Sequence, residues 1–152
     1  MTKRLLFFHL AIPVTDKSFA PKFYTNILGC SVGRQDDKWI DFNFFGHQIV
    51  AHLANPNEDI QTNEVDNDNV PCRHFGMILT PKQWQKLVTH LESNDINFQI
   101  KPHTRFKDNP GEQHTMFIKD PSGNFLEFKA FEDEIEALHE LLKQKEKNDR
   151  YN

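Results

Sequence analysis

Cysteine is scarce in this chain: its 152 residues include only Cys30 and Cys72. Two thiols so far apart make neither a disulfide framework nor a CxxC zinc site, so both are expected to be free. Long apolar runs are missing as well. No stretch approaches the roughly 20 residues needed to cross a bilayer, and Leu5-Leu6-Phe7-Phe8 is broken too soon by His9 to act as a signal peptide. The expectation is a cytoplasmic protein with no membrane partner. A basic excess is also lacking, since 18 Lys and Arg stand against 22 Asp and Glu for a formal net charge of −4. Without a basic stripe, nucleic acid is not an expected partner. Tyrosine is limited to Tyr24 and Tyr151, whereas Phe occurs 14 times and supplies the core. The length allows one domain, or two small modules sharing one.

Histidine, by contrast, is plentiful, with eight residues that raise the question of a metal. The most informative stretch is His114 to Phe131, HTMFIKDPSGNFLEFKAF, in which apolar arms flank Asp120-Pro121-Ser122-Gly123-Asn124. Pro fixes φ and Gly supplies φ > 0, so a hairpin is predicted. Alternation on its second arm puts Glu127 on a face with Phe125, Lys129 and Phe131. A carboxylate among aromatics is costly unless it is paired, hydrogen-bonded or bound to a cation.

Taken in order, Leu5–Val14 reads as a strand with His9 on a face with Phe7 and Ala11. A helix follows, with Phe19, Phe23 and Ile27 at i, i+4, i+8, Asp16 or Ser18 at its start, Pro21 in the first turn and Gly29 at C′. Strands are predicted at Cys30–Gln35, Lys38–Phe45 and Gln48–Ala54, the last aligning His52 with Gln48 and Val50. Asn55 to Pro71 is polar with almost no apolar anchor and reads as a linker or mobile flap. Arg73–Leu79 resumes a strand bearing His74. Thr80 then N-caps a helix with Gln83 closing a capping box, Pro81 at N1 and a stripe of Trp84, Leu87, Val88 and Leu91. A strand at Ile96–Ile100, a loop over 101–113 containing Arg105, the hairpin, and a charged helix over 132–148 complete the chain. His47 and His103 fall in predicted turns and His90 and His139 in helices, and all four are read as solvated.

These elements form an internal repeat of strand, helix and three strands. The segments FFHLAIPV with His9, FYTNILGC, RHFGMIL with His74 and DPSGNFLEFKAF with Glu127 resemble the vicinal oxygen chelate superfamily, which includes glyoxalase I, fosfomycin-resistance enzymes, bleomycin-binding proteins and extradiol dioxygenases. Among these, GHQIVAHLAN, PGEQ and LEFKAF are most similar to small predicted extradiol-dioxygenase-like bacterial proteins. The resemblance implies an α+β fold, two paired βαβββ modules forming a curved mixed sheet around a central metal or ligand cavity, plus a C-terminal helix. Module one would span 5–54, the linker 55–72 and module two 73–131, in a single domain.

It further implies that His9, His74 and Glu127 form a two-His, one-carboxylate triad for one divalent metal per chain. Fe(II) is favoured, with Zn, Ni or Mn as alternatives. A homodimer and a small-molecule substrate, catecholic in the dioxygenase reading, follow from the same resemblance. His52 and His114 are candidates for acid–base work and Arg105 for holding an anionic substrate. His52 stands where glyoxalase I would place a second carboxylate, which disfavours that isomerase. Phe117 lies near the Tyr of characterised extradiol enzymes, and no His occurs between His52 and His74. A glyoxalase- or bleomycin-resistance-like binding protein, or a non-oxidative lyase or transferase, therefore stays open as the alternative.

Overall fold

Alternating apolar residues build two sheets whose strands follow one another in the same order. The structure, a computed structural model, describes residues 8–54, 61–109 and 111–132. The strands are β1 (His9–Val14), β2 (Ser31–Gln35), β3 (Trp39–Phe44), β4 (His47–Leu53), β5 (Thr62–Val65), β6 (Asp68–Pro71), β7 (Phe75–Leu79), β8 (Phe98–Arg105), β9 (Gln113–Lys119) and β10 (Phe125–Phe131). One sheet runs β1-β4-β3-β2 and another β7-β10-β9-β8, so the predicted repeat is present in the topology. The predicted C-terminal helix and residues 5–7 of the first predicted strand lie outside the described residues. Among the described residues, no helix is long and apolar enough to cross a membrane.

The described residues fall into two compact units. In the first, which includes residues 8–54 and the turn 119–126, β1 pairs parallel with β4, while β3 pairs antiparallel with both β4 and β2. Ile12, Val14, Ile40, Phe42, Ile49 and Ala51 bury one face of this sheet. The register puts His9, Asp41, Gln48 and His52 on the other. Against the apolar face lies a helical segment that differs from the expected α-helix. A single α-turn, α1 (Phe19–Pro21), passes into a π-helix at Lys22–Ile27. The wider turn buries Phe23 and Tyr24 side by side, whereas Phe19, expected in the apolar stripe, is exposed. Tyr24 stacks on Phe42 at 4.9 Å, and its hydroxyl donates to Asp120 Oδ2 at 3.0 Å. Burial foremost, then the Asp120 charge, pushes the Tyr24 phenol well above its usual range. Asp120 also accepts the backbone N–H groups of Ser122 and Asn124, so the predicted Pro-Gly turn is built around its carboxylate. Cys30 and Cys72 are free thiols as expected, and burial pushes the Cys30 thiol up to about 11.

In the second unit α2 (Pro81–Ser93) starts at the predicted cap. Thr80 Oγ1 accepts from Gln83 N, and the Gln83 side chain accepts from Thr80 N. Trp84 Nε1 donates to Phe128 O at 2.9 Å, which sets α2 on the face carrying Met116, Ile118 and Phe128. Two segments differ from expectation. Residues 62–71, read as linker, form the two-stranded β5-β6 sheet, because Asp66 and Asn67 both adopt positive φ, a tight-turn geometry that these residue types tolerate. Strand β8 continues to Arg105, so His103 and Arg105 are strand residues and not loop residues.

Strand β7 can lie beside β10 only because Gly76 has no side chain. A Cβ there would sit 1.6 Å from Glu127 O. Gly76→Ala is therefore expected to cost more than about 4 kcal/mol or to abolish folding, a cost at the extreme of point mutations. Urea unfolding of the variant checks this, and wild-type stability would refute the close approach.

Candidate functional site

Glu127 is only 5% exposed, on the strand next to β7. Thr115, fully buried on the neighbouring strand β9, donates its hydroxyl to Glu127 Oε1 at 2.8 Å. Arg105 Nη1 lies 3.5 Å from the same oxygen, and Lys129 Nζ lies 3.4 Å from Oε2. The buried charge is thus opposed by two cations and a hydroxyl. Arg105, 3% exposed, is itself tied to Asp68, whose Oδ2 accepts from Nε at 2.9 Å and Nη2 at 2.7 Å. His103 Nε2 stands 2.9 Å from that same oxygen. Phe117 carries the Arg105 guanidinium over its ring at 5.8 Å. Gln113, opposite Arg105 in register, has a buried Oε1 with no hydrogen-bond partner among the described residues.

The first unit carries the imidazoles of His9, His52 and His74. His9 pairs in register with Gln48, and its Nδ1 meets Gln48 Oε1 at 2.7 Å. His74 Nδ1 meets Pro71 O at 2.6 Å. Carbonyl oxygens only accept, so each Nδ1 carries a proton. Metal-ligating histidines show this pattern, the far nitrogen donating to a carbonyl or carboxylate that orients the ring. His52, exposed, shares the His9 face and aligns with Pro13 and Trp39.

The sequence candidates therefore distribute as follows. His9, His52 and His74 belong to the first unit, while Arg105 and Glu127 belong to the second, where they meet as an ion pair. His114 points to the opposite face of its sheet from Thr115 and Glu127, stacked on Trp84 and bonded to Thr104 Oγ1 and Glu132. Arg105, expected as a substrate clamp, has its guanidinium engaged by Asp68 and Glu127. Imidazole and carboxylate are donor types that suit a borderline divalent metal. Among the described residues, no three His, Cys, Asp or Glu side chains are grouped so as to hold one. Sequence reasoning missed Asp41, Gln48, Asp68 and Thr115. For Asp68 the signal was present, since Asp66-Asn67 between Val65 and Val70 marks a hairpin that places Asp68 in a strand.

Residues 6–128 match the family described as the Glyoxalase/Bleomycin resistance protein/Dioxygenase superfamily. The chain belongs to this superfamily. A glyoxalase/bleomycin resistance protein/dioxygenase from Alicyclobacillus acidocaldarius is 36% identical, with a TM-score of 0.72 over 88% of this chain and 96% of that one. The genomically encoded fosfomycin resistance protein of Listeria monocytogenes is 14% identical, with a TM-score of 0.65 over 86% of this chain and 95% of that one. Lactoylglutathione lyase from Agrobacterium tumefaciens, also 14% identical, gives a TM-score of 0.59 over 86% and 96%. At that identity the last two share the fold alone. No curated protein matches the chain.

In this superfamily member the Asp68–Arg105–Glu127 cluster makes a stability prediction. Arg105→Met leaves two buried or half-buried carboxylates without their shared cation, and the expected loss is about 3–5 kcal/mol, as for other broken buried pairs. Chemical denaturation measures it, and a loss below about 1 kcal/mol, the scale of a surface pair, would contradict the burial.

Proposed function

We propose that this protein is a metal-dependent enzyme acting on a small substrate that presents two adjacent oxygen atoms, with His9, His74 and Glu127 as the metal ligands. The observation that carries the reading is the common setting of the two histidines, each with Nδ1 within hydrogen-bond distance of a carbonyl oxygen. Membership in a superfamily of glyoxalases and dioxygenases supports it. The reaction proposed is extradiol-type cleavage of a catecholic ring with O₂, with Fe(II) as the metal and a homodimer as the working form. A divalent metal held by this donor set would supply Lewis acidity and open positions for the substrate oxygens.

The chain's own residues have distinct roles in this reading. Thr115 holds Oε1 of Glu127 by its hydroxyl, which orients the carboxylate. Arg105, fixed by Asp68, stabilises Glu127 and leaves anion recognition to other groups. Acid–base work falls to His52, exposed on the His9 face, and not to His114, whose ring is taken up by Trp84, Thr104 and Glu132. The buried Oε1 of Gln113 offers an acceptor to a ligand hydroxyl. Phe117, on the Thr115 face, supplies an apolar wall where a Tyr would supply a proton.

A metal-free small-molecule binding protein is the second reading, favoured by the pairing of Glu127 with Arg105 and Lys129. Elemental analysis separates the two, on protein prepared anaerobically with Fe(II) and compared with a His74→Ala, Glu127→Ala double variant. About one metal per chain, lost in the variant, is expected, along with O₂ uptake on addition of catechols. Metal-free wild type would end the dioxygenase reading and leave the binding protein.

A further inference from the structure

We infer that Asp41 and Gln48 act together as a positioning pair that locks His9 in its Nδ1–H tautomer. The consequence for metal binding rests on the function proposed above, but the lock itself does not. Asp41 lies on β3, 6% exposed, and its Oδ2 accepts from Gln48 Nε2 at 3.2 Å and from Arg34 Nε at 3.2 Å. A primary amide has two distinct ends, and only one of them can face a carboxylate. Asp41 therefore turns the Gln48 amide so that Nε2 points toward it and Oε1 toward His9 Nδ1, 2.7 Å away.

Inverting the amide would set Oε1 against the Asp41 carboxylate and offer a donor to Nδ1. The His9 proton would then move to Nε2, the nitrogen that must carry a lone pair to ligate. A buried negative charge on β3 thus determines the state of a ring on β1 through one amide on β4. His74 achieves the same state directly from Pro71 O, so only His9 depends on a side-chain relay that a substitution can invert. Asp41 and Gln48 touch no reacting atom and are positioning residues.

The test needs no metal for its first reading. Long-range ¹H–¹⁵N correlation on ¹⁵N-histidine apoprotein, at a pH where the imidazole is neutral, reports which nitrogen holds the proton. A His9→Asn variant assigns the signal. Wild type is expected to show Nδ1–H. In Asp41→Asn the new amide can donate to Gln48 Oε1, and His9 is expected to shift toward Nε2–H. Gln48→Leu, at a half-buried position, is expected to lose the Nδ1–H preference even if Asp41→Asn does not fold. Zn²⁺ affinity by competition titration should fall about 10–100-fold in the folded variants, as for other groups that orient a metal-bound histidine. Nε2–H in wild type, or an unchanged tautomer in the folded variants, overturns the lock. A shifted tautomer with wild-type Zn²⁺ affinity overturns its role in metal binding. Wild type that keeps Nδ1–H but binds no Zn²⁺ overturns the metal reading and leaves the lock supported.

Discussion

A carboxylate buried to 5% exposure in the middle of a sheet sets the terms for the second unit. Burying a lone charge is too costly for a marginally stable domain, so Glu127 requires compensation from every side. Thr115 supplies a hydroxyl, and Arg105 and Lys129 supply charge. Arg105 is buried in turn and needs its own partner, which is why the β5-β6 sheet brings Asp68 to its Nε and Nη2. The hairpin is thereby tied to the end of β8 twice, since Asp66 also accepts the Phe106 N–H at 3.0 Å. Close approach of β7 at Gly76 completes the confinement of Glu127 from the backbone side. A chain of obligations that starts from one carboxylate thus accounts for a polar segment that would otherwise have no reason to fold.

The first unit meets a similar problem differently. Asp41 is buried almost as deeply, and Arg34 opposes it, but the Arg34 side chain is 79% exposed. An exposed guanidinium is hydrated and screened, so its pairing with Asp41 contributes little, and the hydrogen bond from Gln48 takes up part of the compensation. The two modules share strand order without sharing chemistry. One presents a carboxylate held by cations, the other an imidazole oriented by an amide.

How much of this could be read from the chain depended on the range of the interaction. Period-two alternation, the Thr80 and Gln83 capping box, the turn at Asp120–Asn124 and Gly29 in the left-handed region are all local, and each stands where residue type alone predicts. The π-helix at Lys22–Ile27 was not readable, because its stimulus is distant: burying Tyr24 against Phe42 and Asp120 rewards a wider turn than the i, i+4 stripe suggests. Arg105 looked like a free charge because Asp68 is 37 residues away in sequence. His103 looked like a turn residue for the same reason. In each case a strand register, set by residues elsewhere, brought in a partner that composition could not name.

The fold narrows function less than the donors do. Fosfomycin resistance and lactoylglutathione lyase structures match most of this chain at 14% identity, so the architecture tolerates nearly complete replacement of its side chains. Sites grafted on a common frame must then be distinguished by which atoms can donate, accept or ligate. Here two imidazoles are held in the same tautomer by unrelated means, one by a backbone carbonyl and one by an amide that a buried carboxylate orients. Each ring's state follows from the acceptor at its Nδ1, a backbone oxygen that no side-chain substitution removes for His74 and an amide oxygen that a neighbouring carboxylate orients for His9.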